Sequence, residues 1–183
     1  MSLILPVKGI APQIDASCFI AANATIVGDV VLGKECSVWF TAVIRGDLNS
    51  IRVGDRTNIQ DGAVIHCTYE KAETTIGNNV SIGHRAIVHG CTIRDNALIG
   101  MGAIVMDHAE VKENCIIAAG AVVLENTVCE AGCIYAGIPA KKVKELTQQQ
   151  IENLQKTAQN YVMYSGWFQG EENDDRLDSF LNS

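Results

Sequence analysis

Aliphatic residues recur every six positions along most of the chain, with two interruptions. A small residue usually follows four positions later. An α-helix would need an apolar spacing near 3.6 residues, whereas two-fold alternation inside each six-residue unit fits a short strand and a bend. Hexapeptide repeats build parallel β-helices. We therefore predict an all-β, left-handed parallel β-helix whose inward aliphatic positions are Ile20, Ile26, Leu32, Val38, Ile44, Val53, Ile59, Ile65, Ile76, Ile82, Val88, Ile93, Ile99, Val105, Val111, Ile117, Val123, Val128 and Ile134.

Glycine and asparagine are expected in the bends between strands, since tight corners favour these residues. A β-sandwich also alternates, but it does not keep one six-residue period for more than a hundred residues. The bend positions predicted in this way are Gly33, Asn58, Gly77, Asn78, Gly83 and Gly100.

The repeat pattern ends after its last unit, and a helical pattern follows. Tyr135–Pro139 is a turn signal. Thr147 with Gln150 forms a capping-box signature, and the apolar spacing beyond it predicts a helix over about 147–164, packed along the outside of the β-helix. The acidic end of the chain is expected to be mobile and to carry a short terminal helix.

Length and composition limit the alternatives. The 183 residues fit a β-helix domain over 1–138 and a C-terminal helix with an acidic tail over 139–183. The net charge of −7 argues against a nucleic-acid partner. A secretory signal and a run of about 20 apolar residues are both missing, which predicts no membrane span. The seven cysteines are odd in number and lack CxxC spacing, so we expect reduced thiols in a cytoplasmic protein.

Two histidines are predicted to stack on one face. Three six-residue units complete one triangular coil, so residues three units apart lie about 4.8 Å from each other. His66 and His89 are each second in their unit, and three unit steps separate them. Arg45 occupies the same place one coil earlier and is followed by Asp47. One stacked column is therefore predicted to contain Arg45, His66 and His89.

A third histidine falls on the adjacent face. His84 is third in its unit, and its stacked partner is Asp61, with Gln60 beside it. One subunit cannot easily gather His66, His89 and His84, but a homotrimer can, because one face meets the neighbour's other face. Three imidazoles with a fourth position open to water match a catalytic zinc site, and Fe²⁺ and Co²⁺ also accept three imidazoles.

The chain resembles the γ-class carbonic anhydrases of the hexapeptide-repeat superfamily. The similarity extends from about residue 10 to the C-terminal helix. The matching segments are Ile44–Asp47 (IRGD), Asn58–Gly62 (NIQDG), Val64–His66 (VIH) and Ile82–Cys91 (IGHRAIVHGC).

This resemblance implies a trimer with metal sites at its subunit interfaces. His66 and His89 of one subunit, with His84 of its neighbour, would bind the metal. The implied reaction is hydration of carbon dioxide to bicarbonate by metal-bound hydroxide, with little or no turnover as a further expectation.

The resemblance also implies roles for the polar residues nearby. Arg45 and Asp47 would form an inter-subunit ion pair. Asn58, Gln60 and Asp61 match the family's N-x-Q-D segment, in which the glutamine touches the metal-bound water and the aspartate joins the arginine network.

The chain departs from the best-characterised active members at their acidic loops. Those members carry glutamates near the site, one of which assists proton transfer. Leu48 stands directly after Asp47 here, and the loop after His66 offers only Glu70 and Glu73. Tyr161 on the terminal helix is a further candidate that could reach the site or simply pack.

Two other functions remain open from the sequence. Hexapeptide trimers also include acyl-CoA-dependent acetyltransferases, in which a lone histidine serves as general base. A non-catalytic metal-binding scaffold is the third possibility. His108 has no stacked partner and is predicted to lie on the surface. The repeat itself indicates fold and not activity.

Overall fold

Stacked coils of short strands form the molecule, which is described for residues 1–170 by a computed structural model. Ile65 pairs with Val88 and Ile82 with Ile99 in parallel register, as a repeat of three units per coil requires. About seven turns stack in this way. The elements are β1 (Leu3–Leu5), β2 (Gln13–Ile14), β3 (Phe19–Ile20), β4 (Thr25–Leu32), β5 (Ser37–Val38), β6 (Val43–Val53), β7 (Asn58–Ile59), β8 (Val64–His66), β9 (Thr74–Ile76), β10 (Ser81–Ile82), β11 (Ile87–His89), β12 (Thr92–Ile93), β13 (Leu98–Ile99), β14 (Ile104–Val105), β15 (Glu110–Val111), β16 (Ile116–Ile117), β17 (Val122–Val123), β18 (Val128–Cys129), β19 (Cys133–Ala136), β20 (Lys141–Glu145) and α1 (Gln148–Trp167).

The strands form three faces. The pair face contains β8, β11, β14 and β17, and it is so named because it carries His66 and His89. The third face contains β9, β12, β15 and β18. The long strand β6 joins these two faces, since its start pairs with β8 and its end with β9. The helix face is the separate eight-stranded sheet of β3, β5, β7, β10, β13, β16, β19 and β20.

The interior is a continuous aliphatic core. Ile26, Ile44, Ile65 and Val88 are completely buried, as the repeat predicts, and small residues such as Ala86 fill the positions between them. The prediction that Val128 points inward is wrong, because Val128 is exposed and the next residue of its strand is buried instead. Burying one such aliphatic side chain contributes about 1.5–3 kcal/mol, so the regular repeat is itself the main source of stability. The prediction of a left-handed parallel β-helix with a helix alongside is confirmed.

The bends show why the predicted glycines are needed. Most corners turn through one residue of positive φ, several of them asparagines. Gly100 has no such φ; instead, a Cβ there would lie 2.5 Å from the backbone nitrogen of Ala119 in the next coil. Its role is the close approach of stacked coils. The prediction that Asn58 lies in a bend is wrong, because Asn58 is a buried residue of β7 that is held by side-chain hydrogen bonds.

The segment after the repeat contains a strand that the sequence did not predict. β20 runs antiparallel to β19 and forms the edge of the helix face, with all its residues exposed. The turn signal before it thus leads into a hairpin strand. The predicted boundary at residue 138, between the β-helix domain and the C-terminal region, stays a prediction.

Helix α1 begins where its capping box predicts. Thr147 is the N-cap, and Gln150 completes the reciprocal hydrogen bonds. The helix continues to Trp167, three residues beyond the predicted end, and packs on β5, β7 and β10. The predicted mobile end and terminal helix lie outside the described residues. Within residues 1–170, the helix is not apolar enough over a sufficient length to cross a bilayer.

Candidate metal centre

His66 and His89 stack in adjacent coils of the pair face. They are direct partners in the pairing of β8 with β11, which confirms the predicted stacking of the two histidines. Their ring centroids are 5.0 Å apart, and His66 Nδ1 lies 3.1 Å from His89 Nε2. Two imidazole nitrogens thus face each other across a gap set by the strand spacing.

Asp47 lies behind the first of these rings. Its Oδ1 is 3.2 Å from His66 Nε2, and its Oδ2 accepts a hydrogen bond of 2.6 Å from Arg45 Nη1. Burial raises the pKa of Asp47, but the hydrogen bonds from Arg45 and His66 outweigh it and hold that pKa below its usual range. The resemblance implied an ion pair between subunits, whereas the arginine and the aspartate contact each other within one chain.

The same surroundings favour the neutral form of His66. Burial lowers the pKa of His66, and the charge of Arg45 and the proximity of His89 lower it further, against the opposing effect of Asp47. A metal binds the neutral form of imidazole. The lowered pKa therefore favours the protonation state that a ligand needs.

Asp107 lies behind the second ring, that of His89, and is not among the site residues predicted from the sequence. Its Oδ1 is 2.5 Å from His89 Nδ1, and its Oδ2 accepts a hydrogen bond of 2.5 Å from Thr68 Oγ1. Burial raises the pKa of Asp107, but these hydrogen bonds outweigh it and lower that pKa. The register could have indicated it, because Asp107 directly follows the position that stacks on His89 in the next coil. The neighbouring His108 is exposed, as predicted.

The spacing of the two facing nitrogens fits a metal ion. If the nitrogens nearest the carboxylates carry the protons, the facing nitrogens of His66 and His89 both present lone pairs. Zinc–nitrogen bonds of about 2.0–2.1 Å in tetrahedral geometry place two ligand nitrogens roughly 3.3 Å apart. The observed 3.1 Å is close to that separation. The donor set therefore fits Zn²⁺, Fe²⁺ or Co²⁺.

His84 lies apart from this pair, on the helix face. Its Nδ1 is 2.9 Å from Asp61 Oδ2, and both side chains are more than 40% exposed. Asp61 therefore pairs with a histidine here and not with the arginine of the predicted network. Within residues 1–170 of a single chain, no three His, Cys, Asp or Glu side chains come together in a way that could hold a metal. One chain therefore brings two of the three predicted ligands together and carries the third elsewhere.

Gln60 is held in place near His84. Its Nε2 donates to Asn58 Oδ1 at 3.0 Å, and Asn58 Nδ2 donates to Ser81 Oγ at 2.9 Å. Both amides are buried. This chain of hydrogen bonds fixes the orientation of the Gln60 amide.

Tyr161 of α1 reaches the same region. With Gln60 and His84 it lines an open, largely apolar cavity of about 400 Å³. Its ring also meets Trp39 edge-on, with centroids 5.6 Å apart, and burial raises the pKa of its hydroxyl. Tyr161 thus packs against the core and borders the candidate site.

The two loop glutamates have partners of their own. Glu73 Oε2 accepts a hydrogen bond of 3.1 Å from Ser50 Oγ. The Tyr69 hydroxyl donates to Glu70, and this hydrogen bond raises the tyrosine's pKa. Glu70 is thus bonded within the loop, whereas Glu73 is bonded to a residue of β6.

Two family models match the repeat region. The model described as "Bacterial transferase hexapeptide (six repeats)" matches residues 90–125. The model described as "Hexapeptide repeat of succinyl-transferase" matches residues 73–106. Both describe the repeat, and neither covers all three histidines.

Curated relatives cover most of the chain. A carbonic anhydrase of Geobacillus kaustophilus is 50% identical over 160 residues, which is 87% of each protein. A probable carbonic anhydrase of Methanocaldococcus jannaschii is 50% identical over 146 residues, covering 80% of this chain and 91% of the relative. The mitochondrial gamma carbonic anhydrase 2 of Arabidopsis thaliana is 40% identical over 157 residues, covering 83% of this chain and 56% of the relative.

Solved structures with other names are also similar. A hexapeptide transferase family protein from Anaplasma phagocytophilum has a TM-score of 0.87 and 43% identity, covering 91% of this chain and 98% of that one. A putative acetyltransferase from Bacillus cereus has a TM-score of 0.88 and 37% identity, covering 92% and 98%. The fold is shared across both sets of names, so the site's chemistry has to distinguish them.

Proposed function

This chain belongs to the γ-class carbonic anhydrase family, and from that premise we propose that it hydrates carbon dioxide to bicarbonate with a bound divalent metal. The observation that carries the proposal is the facing pair of His66 and His89, 3.1 Å apart, with a carboxylate behind each ring. A general base in acyl transfer needs one free imidazole, whereas this arrangement directs two imidazoles at a single point.

We propose that the ligand set is completed between subunits. His66 and His89 of one chain, with His84 of the adjacent copy, would hold Zn²⁺, or alternatively Fe²⁺ or Co²⁺. When bound, such a metal supplies a Lewis acid that makes water a nucleophile near neutral pH.

The outward side chains support a homotrimer. On the pair face Ile87, Ile104 and Val122 stack in one column beside the two histidines. On the helix face Leu98 and Ile116 stack beside His84. All five are at least partly exposed in the single chain. Contact between one subunit's pair face and the next subunit's helix face would bury both columns, and such a heterologous contact closes into a ring.

The chain's own residues have separate tasks in this proposal. Arg45 holds Asp47, and Asp47 orients His66 so that one nitrogen faces the metal position. Gln60, fixed by Asn58, would hold the reacting water through its amide. Tyr161 and the apolar wall of the adjoining cavity would border the substrate beside the metal position.

Proton release requires a group near the site that can accept the proton. Glu70 accepts a hydrogen bond from Tyr69 of its own loop, and Glu73 accepts one from Ser50 of β6. The proton would therefore pass mainly to buffer. We expect weak hydration activity that rises with the concentration of an imidazole-type buffer.

A stopped-flow hydration assay on the metal-loaded protein tests the function. Activity should disappear in His66→Ala, His84→Ala, His89→Ala and Gln60→Ala, and remain in the exposed control His108→Ala. Replacing both Glu70 and Glu73 with Gln should slow turnover only if the loop relays protons. Equal losses in His108→Ala and the three ligand variants would contradict the assignment of the site.

An acyl-CoA-dependent acetyltransferase is the second candidate, favoured by the name of the Bacillus cereus structure. It requires binding of acyl-CoA and transfer of the acyl group to an amine. Calorimetry with acetyl-CoA and an amine-acetylation assay separate the two functions. If the metal-loaded protein acetylates an amine and shows no hydration in any buffer, the anhydrase proposal is wrong. A protein that binds metal and does neither is the non-catalytic scaffold.

We also propose a reducing compartment, the cytoplasm, as the site of action. All seven cysteines are free thiols, and six of them are buried in the β-helix. Reduced, buried cysteines are typical of cytosolic proteins.

A further inference from the structure

We propose that Asp107, held by Thr68, is a positioning residue that fixes the His89 ring as a metal ligand. The proposal rests on the proposed function only in taking His89 as a ligand. Neither Asp107 nor Thr68 belongs to the segments that carry the family resemblance.

The geometry around Asp107 leaves its carboxylate little freedom. One oxygen lies 2.5 Å from His89 Nδ1, and the other accepts a hydrogen bond of 2.5 Å from Thr68 Oγ1. The Asp107 side chain is only 18% exposed. Since both oxygens have partners on different coils, rotation of the carboxylate would break two hydrogen bonds at once.

Gly90 makes this contact possible. A Cβ at Gly90 would lie 2.4 Å from Asp107 Oδ1 and 2.7 Å from the Cβ of Ala72. Any larger residue directly after His89 would push the carboxylate away from the imidazole. The histidine–glycine dipeptide and the aspartate one coil later therefore act as one structural unit.

The consequence concerns the proton on the imidazole ring. A carboxylate only accepts hydrogen bonds, so Asp107 keeps the His89 proton on Nδ1. Nε2 then presents its lone pair toward His66 Nδ1, 3.1 Å away. Without Asp107 the neutral ring could carry its proton on Nε2, and that nitrogen could not bind a metal.

Four variants test the proposal. Asp107→Ala removes both hydrogen bonds, whereas Asp107→Asn keeps an acceptor oxygen. Thr68→Val keeps the carboxylate but removes the hydrogen bond that holds its second oxygen. The matched control is Asp29→Asn, which removes a carboxylate that pairs with Arg52 at 2.8 Å. The thermal midpoint of each metal-free protein shows whether it is folded.

The first measurement is the ring ¹⁵N spectrum of the metal-free protein. With four histidines in the chain, the His89 signals can be assigned by substitution. Wild type, Asp107→Asn and Asp29→Asn should show the Nδ1–H form of His89. Asp107→Ala should show a mixture or the Nε2–H form. An unchanged Nδ1–H form in Asp107→Ala overturns the proposal.

The second measurement is affinity for Zn²⁺, by competition with a chromophoric chelator, together with the Co²⁺ absorption spectrum. Asp107→Ala should bind about 10- to 100-fold more weakly, with an altered cobalt spectrum, whereas Asp107→Asn and Thr68→Val should lose less. Asp29→Asn should match wild type. Equal affinity in Asp107→Ala and wild type would overturn the positioning role of Asp107 but leave the proposed function standing. Failure of the wild type to bind metal overturns the proposed function, while the ring spectrum still decides whether Asp107 orients His89.

Discussion

The pair face and the third face share one core but differ in most of their outward residues. The inward residues Val88 and Ile93, on successive strands of the two faces, are equally buried. The outward residues of the pair face are Val64, Ile87, Ile104 and Val122. Those of the third face are Thr75, Thr92, Glu110 and Val128. The inward positions therefore determine the fold, and the outward positions are free to specify assembly and chemistry.

Ion pairs show the same difference between these faces. On the third face Arg94 pairs with Glu110 at 2.8 Å, and the arginine side chain is 55% exposed. At the edge of the pair face Arg45 pairs with Asp47, which also contacts His66. The first pair is an ordinary surface contact. The second pair influences the pKa and the orientation of the His66 ring, because Asp47 contacts that ring directly.

The largest expected effect comes from placing a charge on the pair face. Ile104→Glu should convert the proposed trimer into monomers of 19.7 kDa, because an unpaired carboxylate would be buried at each interface. Bound metal should be lost with the trimer. Sedimentation equilibrium and metal analysis measure both effects.

The matched control is on the third face. Thr75→Glu introduces the same charge beside Arg52, its partner in the strand register. It should leave assembly and metal content unchanged. Dissociation by Thr75→Glu, with an intact assembly in Ile104→Glu, would reverse the assignment of the two faces.

Mixing two inactive variants sharpens the comparison further. His66→Ala and His84→Ala should each lose the metal, because every interface then lacks one ligand. In randomly mixed trimers about a quarter of the interfaces combine an intact His66 with a neighbour's intact His84. Metal content and hydration should return to that extent after refolding the mixture. If neither returns, the sites are not shared between subunits.

A smaller effect concerns pH. Metal occupancy should fall as the pH drops through about 6, because protons compete for the imidazoles. The charge of Arg45 helps to lower the pKa of His66, so Arg45→Gln should let that pKa rise. Protons then compete at higher pH, and the midpoint of metal release should move to higher pH. Arg94→Gln on the third face should not move it.

The register of the histidines could be predicted from the sequence, whereas the contacts of their side chains could not. A strict six-residue period fixes which residues stack, so the pairing of His66 with His89 follows from counting. The contact of Asp107 with His89 depends on a rotamer and on the space left by Gly90, which periodicity does not encode. The strand Lys141–Glu145 could not be predicted, because it is exposed throughout and shows no apolar alternation.

The smallest expected effect is on the third face itself. Arg94→Ala should lower the free energy of unfolding by less than about 1 kcal/mol, since Arg94 is exposed and Glu110 partly exposed, and their attraction is weak in water. Urea unfolding at low and high salt measures this loss, which should shrink in high salt because ions screen the pair. A double-mutant cycle with Glu110→Ala isolates the pairwise contribution. A coupling above about 2 kcal/mol would be too large for an exposed pair. It would mean that the third face is also covered in the assembly, and that the comparison between the two faces does not hold.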